Sequence, residues 1–283
     1  MLGGPLSIFL VFEDLLLALL ISLPRVYAFI AMAGIMNASA VPRLARNACI
    51  LILSLPLVPV NMAYSEATGE NLSVFAFYFA KEYAIGFVFG YMIGWIFWAV
   101  TASGDFMDNQ RGAAIASSID PLQGHETSPL GSLFSQAFVT YFYAIGGMLV
   151  IVELLYKSFV LWPVTNLIPL VSDQFPVLIF EVLDLGMRTM FILAAPVIAM
   201  MFLSEFALAL VSRFAPQIQV FVLAMPIKSA IAIFILIFYI KIMFPFASDQ
   251  QSLFFELTDK LYSVLEQGTE ILADPAPRET GTP

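Results

Sequence analysis

The chain has 283 residues, 60% of them hydrophobic and 12% charged, with a mean hydropathy of +0.91 and a net charge of −9. About a quarter of the residues of a typical soluble domain are charged, so the composition excludes such a domain and predicts a polytopic membrane protein or a subunit buried in a large apolar assembly. The negative charge argues against nucleic acid as a partner.

Reactive side chains are scarce in this sequence. The only cysteine, Cys49, excludes an intramolecular disulfide, and the only histidine, His125, has no second His or Cys with which to hold a metal. No phosphate-binding loop, zinc signature or catalytic-triad spacing occurs. The sequence therefore predicts a protein that is not an enzyme and that uses no cofactor.

Six apolar segments reach the length of roughly 20 residues that a bilayer-spanning helix requires. They cover about residues 6–36, 47–62, 73–101, 130–152, 185–210 and 220–246, and the fourth is the most regular. Residues 153–184 are also apolar, but Pro163, Pro169 and Pro176 interrupt them, which predicts short helical pieces at the interface or re-entering the membrane. The predicted fold class is all-α.

Charged residues recur inside or near these segments, at Glu13, Asp14, Lys81, Glu82, Arg188, Glu205 and Lys228. A charge at the centre of a bilayer costs about 2.5–3.5 kcal/mol on insertion scales, so neighbouring subunits are expected to cover much of the surface. Adjacent residues do not face each other on a helix, so Lys81 and Glu82 are expected to make two separate contacts in preference to one ion pair.

Three glycines, Gly86, Gly90 and Gly94, recur at intervals of four on the third segment. This spacing places them on one helix face, where the missing side chains allow another backbone to approach closely. A contact with a specific partner helix and ordinary small-residue packing both fit the pattern.

A polar segment, residues 104–128, follows the third span. Polar chain cannot lie in hydrocarbon unless protein or water satisfies it. Asp105, Asp108 and Arg111 have helical i, i+3 spacing, and small residues dominate positions 113–118. Three alternatives remain open: an exterior loop, a self-neutralising polar cap on the end of a helix, and a constriction that presents both charge signs to a pore.

Residues 213–219 connect the fifth and sixth spans as the tip of a helical hairpin. The tip is either a plain connector or a docking site for a partner, and composition does not choose between them.

The sequence changes character after residue 247. Ser248 with Gln251 resembles a capping box, and Leu253, Leu257 and Leu261 then recur at helical spacing. This pattern predicts an acidic amphipathic helix to about residue 272, followed by a disordered tail.

Two motifs resemble those of the T subunit of the type III secretion export apparatus, a family related to a flagellar export subunit. The first is GDFMDNQRG at 104–112, with SSIDP at 117–121 and GHETSP at 124–129. The second is RFAPQ at 213–217, with VF at 220–221 and AMPIKS at 224–229. The resemblance extends over about residues 8–247, and the QRG and SSIDP motifs favour the virulence injectisome branch.

The resemblance implies a position in a larger assembly. The T subunit would be a single copy in a helical export gate of the bacterial inner membrane, within the secretion-system basal body. Residues 1–184 would be similar to an R subunit, residues 185–247 would form a hairpin similar to an S subunit, and residues 248–283 would add the acidic helix and tail.

The resemblance also implies roles for particular residues. The loop after the third helix would project into the pore as a plug, built from Asp105, Phe106, Met107, Asp108, Asn109, Gln110, Arg111, Gly112 and Asp120. The hairpin tip would lie near the cytoplasmic entrance, where the U-type switch subunit wraps the gate, and its residues are Arg213, Pro216, Gln217 and Lys228.

The function implied in this way is a structural, pore-forming subunit through which unfolded secreted proteins pass. Its expected partners are the R, S and U subunits, the V-type export subunit, needle or inner-rod proteins, and membrane lipid. The alternative is a stand-alone secondary transporter or channel, which would function without partner subunits.

Overall fold

The computed structural model describes residues 5–36, 41–62, 72–112, 128–164, 166, 172–214, 220–250 and 252–273. Helices are the only regular secondary structure in these ranges, which confirms the all-α class. They are α1 Pro5–Ala33, α2 Arg43–Ser54, a 3-10 turn Leu55–Leu57, α3 Val58–Asn61, α4 Leu72–Arg111, α5 Pro129–Ala144, α6 Gly147–Leu161, α7 Gln174–Phe214, α8 Val220–Asp249 and α9 Ser252–Ala273.

The number of spans agrees with the sequence. Within the described ranges, five helical stretches are long and apolar enough to cross a membrane, or six if α5 and α6 together count as one broken span. The predicted apolar segments coincide with α1, with α2 and α3, with α4, with the α5–α6 pair, and with α7 and α8.

The segment predicted to be the most regular span is in fact broken. α5 and α6 meet at an angle of 82°. Gly146 lies at the break with a φ of 84°, a left-handed conformation that glycine adopts without steric cost and that commonly ends a helix. The apolar composition does not predict this break, because no proline or charged residue lies at it.

The short helical pieces predicted for residues 153–184 are also wrong. α6 continues to Leu161, and α7 begins at Gln174 and runs without interruption for 41 residues. Pro163 follows the end of α6, and Pro176 lies in the first turn of α7, where its missing N–H costs no hydrogen bond. Pro169 lies outside the described residues.

The chain forms two compact units that interleave along the sequence. Unit 1 contains Met1–Gly94, Met148–Val182 and Leu253–Pro283, and unit 2 contains Trp95–Gly147 and Leu183–Ser252. The division at residues 184 and 247 that the family resemblance implies stays a prediction.

Each unit has its own core. In unit 1, α1 packs on α2 and α3 and crosses α4 at Gly86 and Gly90. In unit 2, four buried phenylalanines form a cluster of ring contacts with centroid distances of 5.1–6.3 Å, and they are Phe97, Phe138, Phe142 and Phe244.

The predicted amphipathic helix near the C-terminus is present as α9, but its predicted cap is wrong. Ser248 lies in the last turn of α8, where its hydroxyl donates to the carbonyl oxygen of Pro245 at 2.8 Å. α9 therefore begins at Ser252, and its apolar face is buried in unit 1.

Candidate functional site

The polar residues predicted to form a loop are mostly helical. α4 continues ten residues beyond the predicted end at residue 101, so Asp105 to Arg111 form its last two turns. Gly112 then leaves the helix with a φ of 95°. Asp120 and residues 113–127 lie outside the described residues, so the predicted plug loop is described only at its two ends.

Asp108 joins those two ends. Its carboxylate is 1% exposed and accepts from Arg111 Nε at 2.6 Å through Oδ1. Its Oδ2 accepts from the hydroxyl of Ser128 at 2.7 Å and from the backbone N–H of Leu130 at 2.8 Å. Asp108 therefore binds a side chain in the last turn of α4. It also accepts a hydrogen bond from a backbone N–H in the first turn of α5, which has no partner within its own helix.

Ser128 and Pro129 start α5 in the way that helices commonly start. The hydroxyl of Ser128 accepts from the backbone N–H of Gly131 at 2.9 Å as an N-cap, and Pro129 occupies the first helical position. The carboxylate of Asp108 also lies at a helix N-terminus, where a negative charge is stabilising. The described residues thus have the contacts of a polar helix cap, and the position of the segment relative to a pore stays a prediction.

Two glycines allow α4 and α5 to meet this closely. A Cβ on Gly104 would lie 2.7 Å from the backbone N of Gly131 and from the carbonyl oxygen of Leu130. A Cβ on Gly131 would collide with the carboxylate of Asp105. The base of the segment at 113–127 is therefore a tightly packed junction, which we call the α4–α5 junction and define by Gly104, Asp105, Asp108, Arg111, Ser128, Leu130 and Gly131.

The other predicted plug residues on α4 point in different directions. Phe106 makes an edge-to-face contact with Phe191 of α7, with ring centroids 5.4 Å apart, and Met107 is fully buried in unit 2. Asn109 is exposed and Gln110 is partly exposed. The structure thus brings Asp108 and Arg111 together with α5 and places Phe106 and Met107 in packing contacts.

A second polar site, which the sequence did not reveal, lies inside unit 1. Arg25 of α1 is fully buried and forms a bidentate pair with Glu82 of α4, from Nε to Oε2 at 2.6 Å and from Nη2 to Oε1 at 3.0 Å. It also donates to the carbonyl oxygens of Ser158 and Trp162 at the end of α6, at 2.7 and 2.8 Å. The guanidinium lies 4.1 Å from the ring centroid of Phe159.

Lys81 completes this cluster. Its Nζ lies 2.9 Å from Oε1 of Glu82 and donates to the carbonyl oxygens of Val164 and Asn166. The expectation of two separate contacts is therefore wrong, because the long lysine stem lets the ammonium group reach back to the adjacent carboxylate. We call Arg25, Lys81 and Glu82 the buried charge cluster.

The cluster neutralises the end of α6. The last carbonyl groups of a helix have no partner within the helix and carry partial negative charge, which a cation stabilises. Arg25 stood out in the sequence only as a charge inside the first apolar segment. Its pairing with Glu82, 57 positions away, leaves no local signal that sequence reasoning could use.

The predicted hairpin residues are partly described. Arg213 lies exposed in the last turn of α7, and Pro216 and Gln217 fall outside the described residues. Lys228 is not at the tip, because it lies in the third turn of α8 and pairs with Glu205 of α7 at 2.7 Å. The pair links α8 to α7 eight residues into α8.

The described residues hold no group of three His, Cys, Asp or Glu side chains that could bind a metal ion.

Comparison with known proteins decides the family. Residues 16–253 match the family of bacterial export proteins, family 1. The chain belongs to this family. It is 39% identical over 226 residues to the Yop proteins translocation protein T of Yersinia pestis, a match that covers 79% of this chain and 85% of the relative.

Further relatives span both branches of the family. The chain is 32% identical to the surface presentation of antigens protein SpaR of Salmonella typhimurium, over 74% of this chain and 78% of the relative. It is 27% identical to the flagellar biosynthetic protein FliR of Bacillus subtilis, over 89% and 97%. The resemblance to the T subunit of the injectisome branch is thereby confirmed, and this export protein is a helical protein of the bacterial inner membrane.

Proposed function

We propose that this export protein is a pore-forming subunit of a type III secretion export gate, through which unfolded proteins cross the bacterial inner membrane. The plug of that pore is the polar segment from Asp105 to Asp120, and Asp105, Asp108 and Arg111 tether it in the α4–α5 junction. The R, S and U subunits are the partners with which the chain assembles.

The main support for the proposal is that Asp108 bonds to both helices of the α4–α5 junction. One buried carboxylate bonds to α4 through Arg111 and to α5 through Ser128 and Leu130, so both ends of the segment at 113–127 are fixed. A plug needs a rigid base and a segment that can be displaced. The small residues at 113–118 suit displacement because they fill a narrow space without interlocking side chains.

The length of the apolar surface supports assembly with partner subunits. Within unit 2, exposed apolar side chains line α7 from Leu183 to Phe214, a stretch of 32 residues or about 46 Å of helix. The hydrocarbon core of a bilayer is about 30 Å thick. Lipid tails cannot cover this whole surface, so protein partners are needed to bury the remainder.

The proposal is tested by leakage through the assembled gate. We expect deletion of residues 113–118 to increase the flux of a small fluorescent dye through proteoliposomes that contain the gate, with its subunit composition unchanged. Asp108→Ala should also increase the flux, because Ser128 and the N–H of Leu130 lose their acceptor and the base loosens.

Thr140→Ala is the matched control, since Thr140 lies on α5 away from the junction and its exposed hydroxyl donates to the carbonyl oxygen of Gln136 in the same helix at 2.8 Å. It should leave the flux at the level of the unaltered protein. Equal flux for the deletion, for Asp108→Ala and for the unaltered gate would contradict the plug role.

A further inference from the structure

Almost all of the helix α9 lies beyond the part of the chain that matches the family. The match ends at residue 253, one residue after α9 begins at Ser252. The helix nevertheless belongs to unit 1, together with α1 and the first part of α4. Its contacts show which surface of unit 1 it covers.

The inner face of α9 is apolar and buried. Phe254, Leu257, Leu261, Val264 and Leu265 are each 5% exposed or less. Burial of apolar side chains is the main favourable contribution to helix packing, so this face supplies most of the stabilisation of the docked helix. On the core side, the ring of Tyr262 makes an edge contact with Phe89 of α4, which is itself 3% exposed.

Two weaker polar contacts fix the position of α9. Nζ of Lys260 donates to Oε1 of Glu181 in α7 at 2.6 Å, and Nζ of Lys157 in α6 lies 5.5 Å from the ring centroid of Phe255. Exposed ion pairs of this kind contribute little to stability but select one register. α9 thus lies across parts of α4, α6 and α7 within unit 1.

The outer face of α9 is charged, unlike the exposed faces of the long helices. Glu256 and Lys260 have side chains that are 58% and 42% exposed, and Asp259, Glu266 and Glu270 are exposed as well. By contrast, the exposed side chains of α7 and α8 are dominated by phenylalanine, leucine, isoleucine and methionine. A face with this many charges cannot contact lipid tails and is a poor surface for an apolar helix of another subunit.

We propose that α9 is a terminal cap, whose apolar face covers the surface of unit 1 at Phe89 of α4, beside Lys157 of α6 and Glu181 of α7, and prevents a further export subunit from adding there. Helical assemblies of similar subunits grow until an end is closed, and end units of stacked arrays carry a polar outer face for this reason. This inference rests on the proposed membership of a hetero-oligomeric gate. The occupant of the face is α9 itself, and the excluded molecule is an apolar helical subunit.

The test is the subunit count of the gate. The full chain and a chain ending at Gln251 are each co-expressed with the R and S subunits of the same secretion system, and the purified complexes are weighed by native mass spectrometry. The full chain should give one defined mass. The truncated chain should give complexes heavier by at least one export subunit or by a second copy of this chain.

Two variants of the full chain sharpen the test. Leu257→Ser with Leu261→Ser weakens the inner face and should reproduce the heavier complexes, while Glu270→Ala changes an exposed residue of the outer face and should not. An unchanged mass for the truncated chain contradicts the cap, and so does its failure to enter any complex, because a cap is dispensable for assembly. If even the full chain forms no defined complex, the proposed gate function itself is wrong.

Discussion

The buried ion pair of Arg25 and Glu82 joins three helices of unit 1 in this export protein, namely α1, α4 and α6. The pair is fully buried, and Arg25 additionally holds two carbonyl groups at the end of α6. Burying an ion pair rarely adds net stability over an apolar replacement, whereas removing one partner costs about 3–5 kcal/mol because the other charge is left unpaired. The buried charge cluster therefore specifies which helices meet more than it strengthens the unit.

We predict that Glu82→Gln strongly destabilises the protein, because Arg25 and Lys81 then lose their shared carboxylate. The triple replacement Arg25→Met, Lys81→Met and Glu82→Leu should recover much of the lost stability, since it removes all three charges together. The measurement is the thermal unfolding temperature of the purified protein in detergent.

Glu153→Gln is the control for this experiment. Glu153 pairs with Lys157 at 2.7 Å, but both side chains are about half exposed, so its loss should change stability by at most about 1 kcal/mol. A fall in unfolding temperature for Glu153→Gln as large as that for Glu82→Gln would show that the cluster has no special role.

At the scale of single elements, the crossing of α1 and α4 depends on glycine. A Cβ on Gly90 would lie 2.6 Å from the carbonyl oxygen of Phe29, and a Cβ on Gly86 would collide with the carbonyl oxygen of Arg25. Both contacts are with backbone, which cannot move aside as a side chain can. We predict that Gly90→Ala separates the two helices and lowers the unfolding temperature.

Gly186→Ala is the matched control on α7. The nearest atom to its Cβ position is Cβ of Trp95 at 3.9 Å, an ordinary van der Waals distance. Alanine in a helix is favoured over glycine by about 1 kcal/mol, so this variant should be as stable as the unaltered protein or more stable. Equal destabilisation by the two replacements would contradict the close crossing.

Sequence periodicity predicted the helical elements well and their ends less well. The six apolar segments, the helix face of Gly86 and Gly90, and the amphipathic α9 follow from residue spacing. The continuation of α4 to Arg111 does not follow from the sequence, because a polar stretch between two apolar segments predicts a loop. Asp108 is paired with residues 3, 20 and 22 positions away, and local spacing predicts only the first of these pairings.

At the scale of the whole molecule, the two units share long helices. α4 and α7 each contribute to both units, so neither unit is a continuous stretch of chain. Sequence segmentation could not show this, because the boundaries at Gly94 and Val182 fall inside uninterrupted helices. The same long helices carry more exposed apolar surface than a bilayer can cover.

This excess gives a prediction about Leu183 and Phe214, which are 52% and 86% exposed. They are separated by about 46 Å along α7, and even a helix tilted by 40° would place them more than 30 Å apart across the bilayer. The two side chains therefore cannot both lie in hydrocarbon. In the isolated protein, at least one of them should contact water.

Spin labels on cysteines at these positions, with Cys49→Ser as background, measure this in nanodiscs through accessibility to a water-soluble nickel complex and to oxygen. Co-purification with the partner subunits should reduce nickel accessibility at the water-contacting position, because protein covers the apolar surface that lipid does not reach. Two labels that both show high oxygen and low nickel accessibility in the isolated chain would contradict the argument from helix length. A position that stays equally open to nickel after assembly would show that partners do not cover this surface of α7.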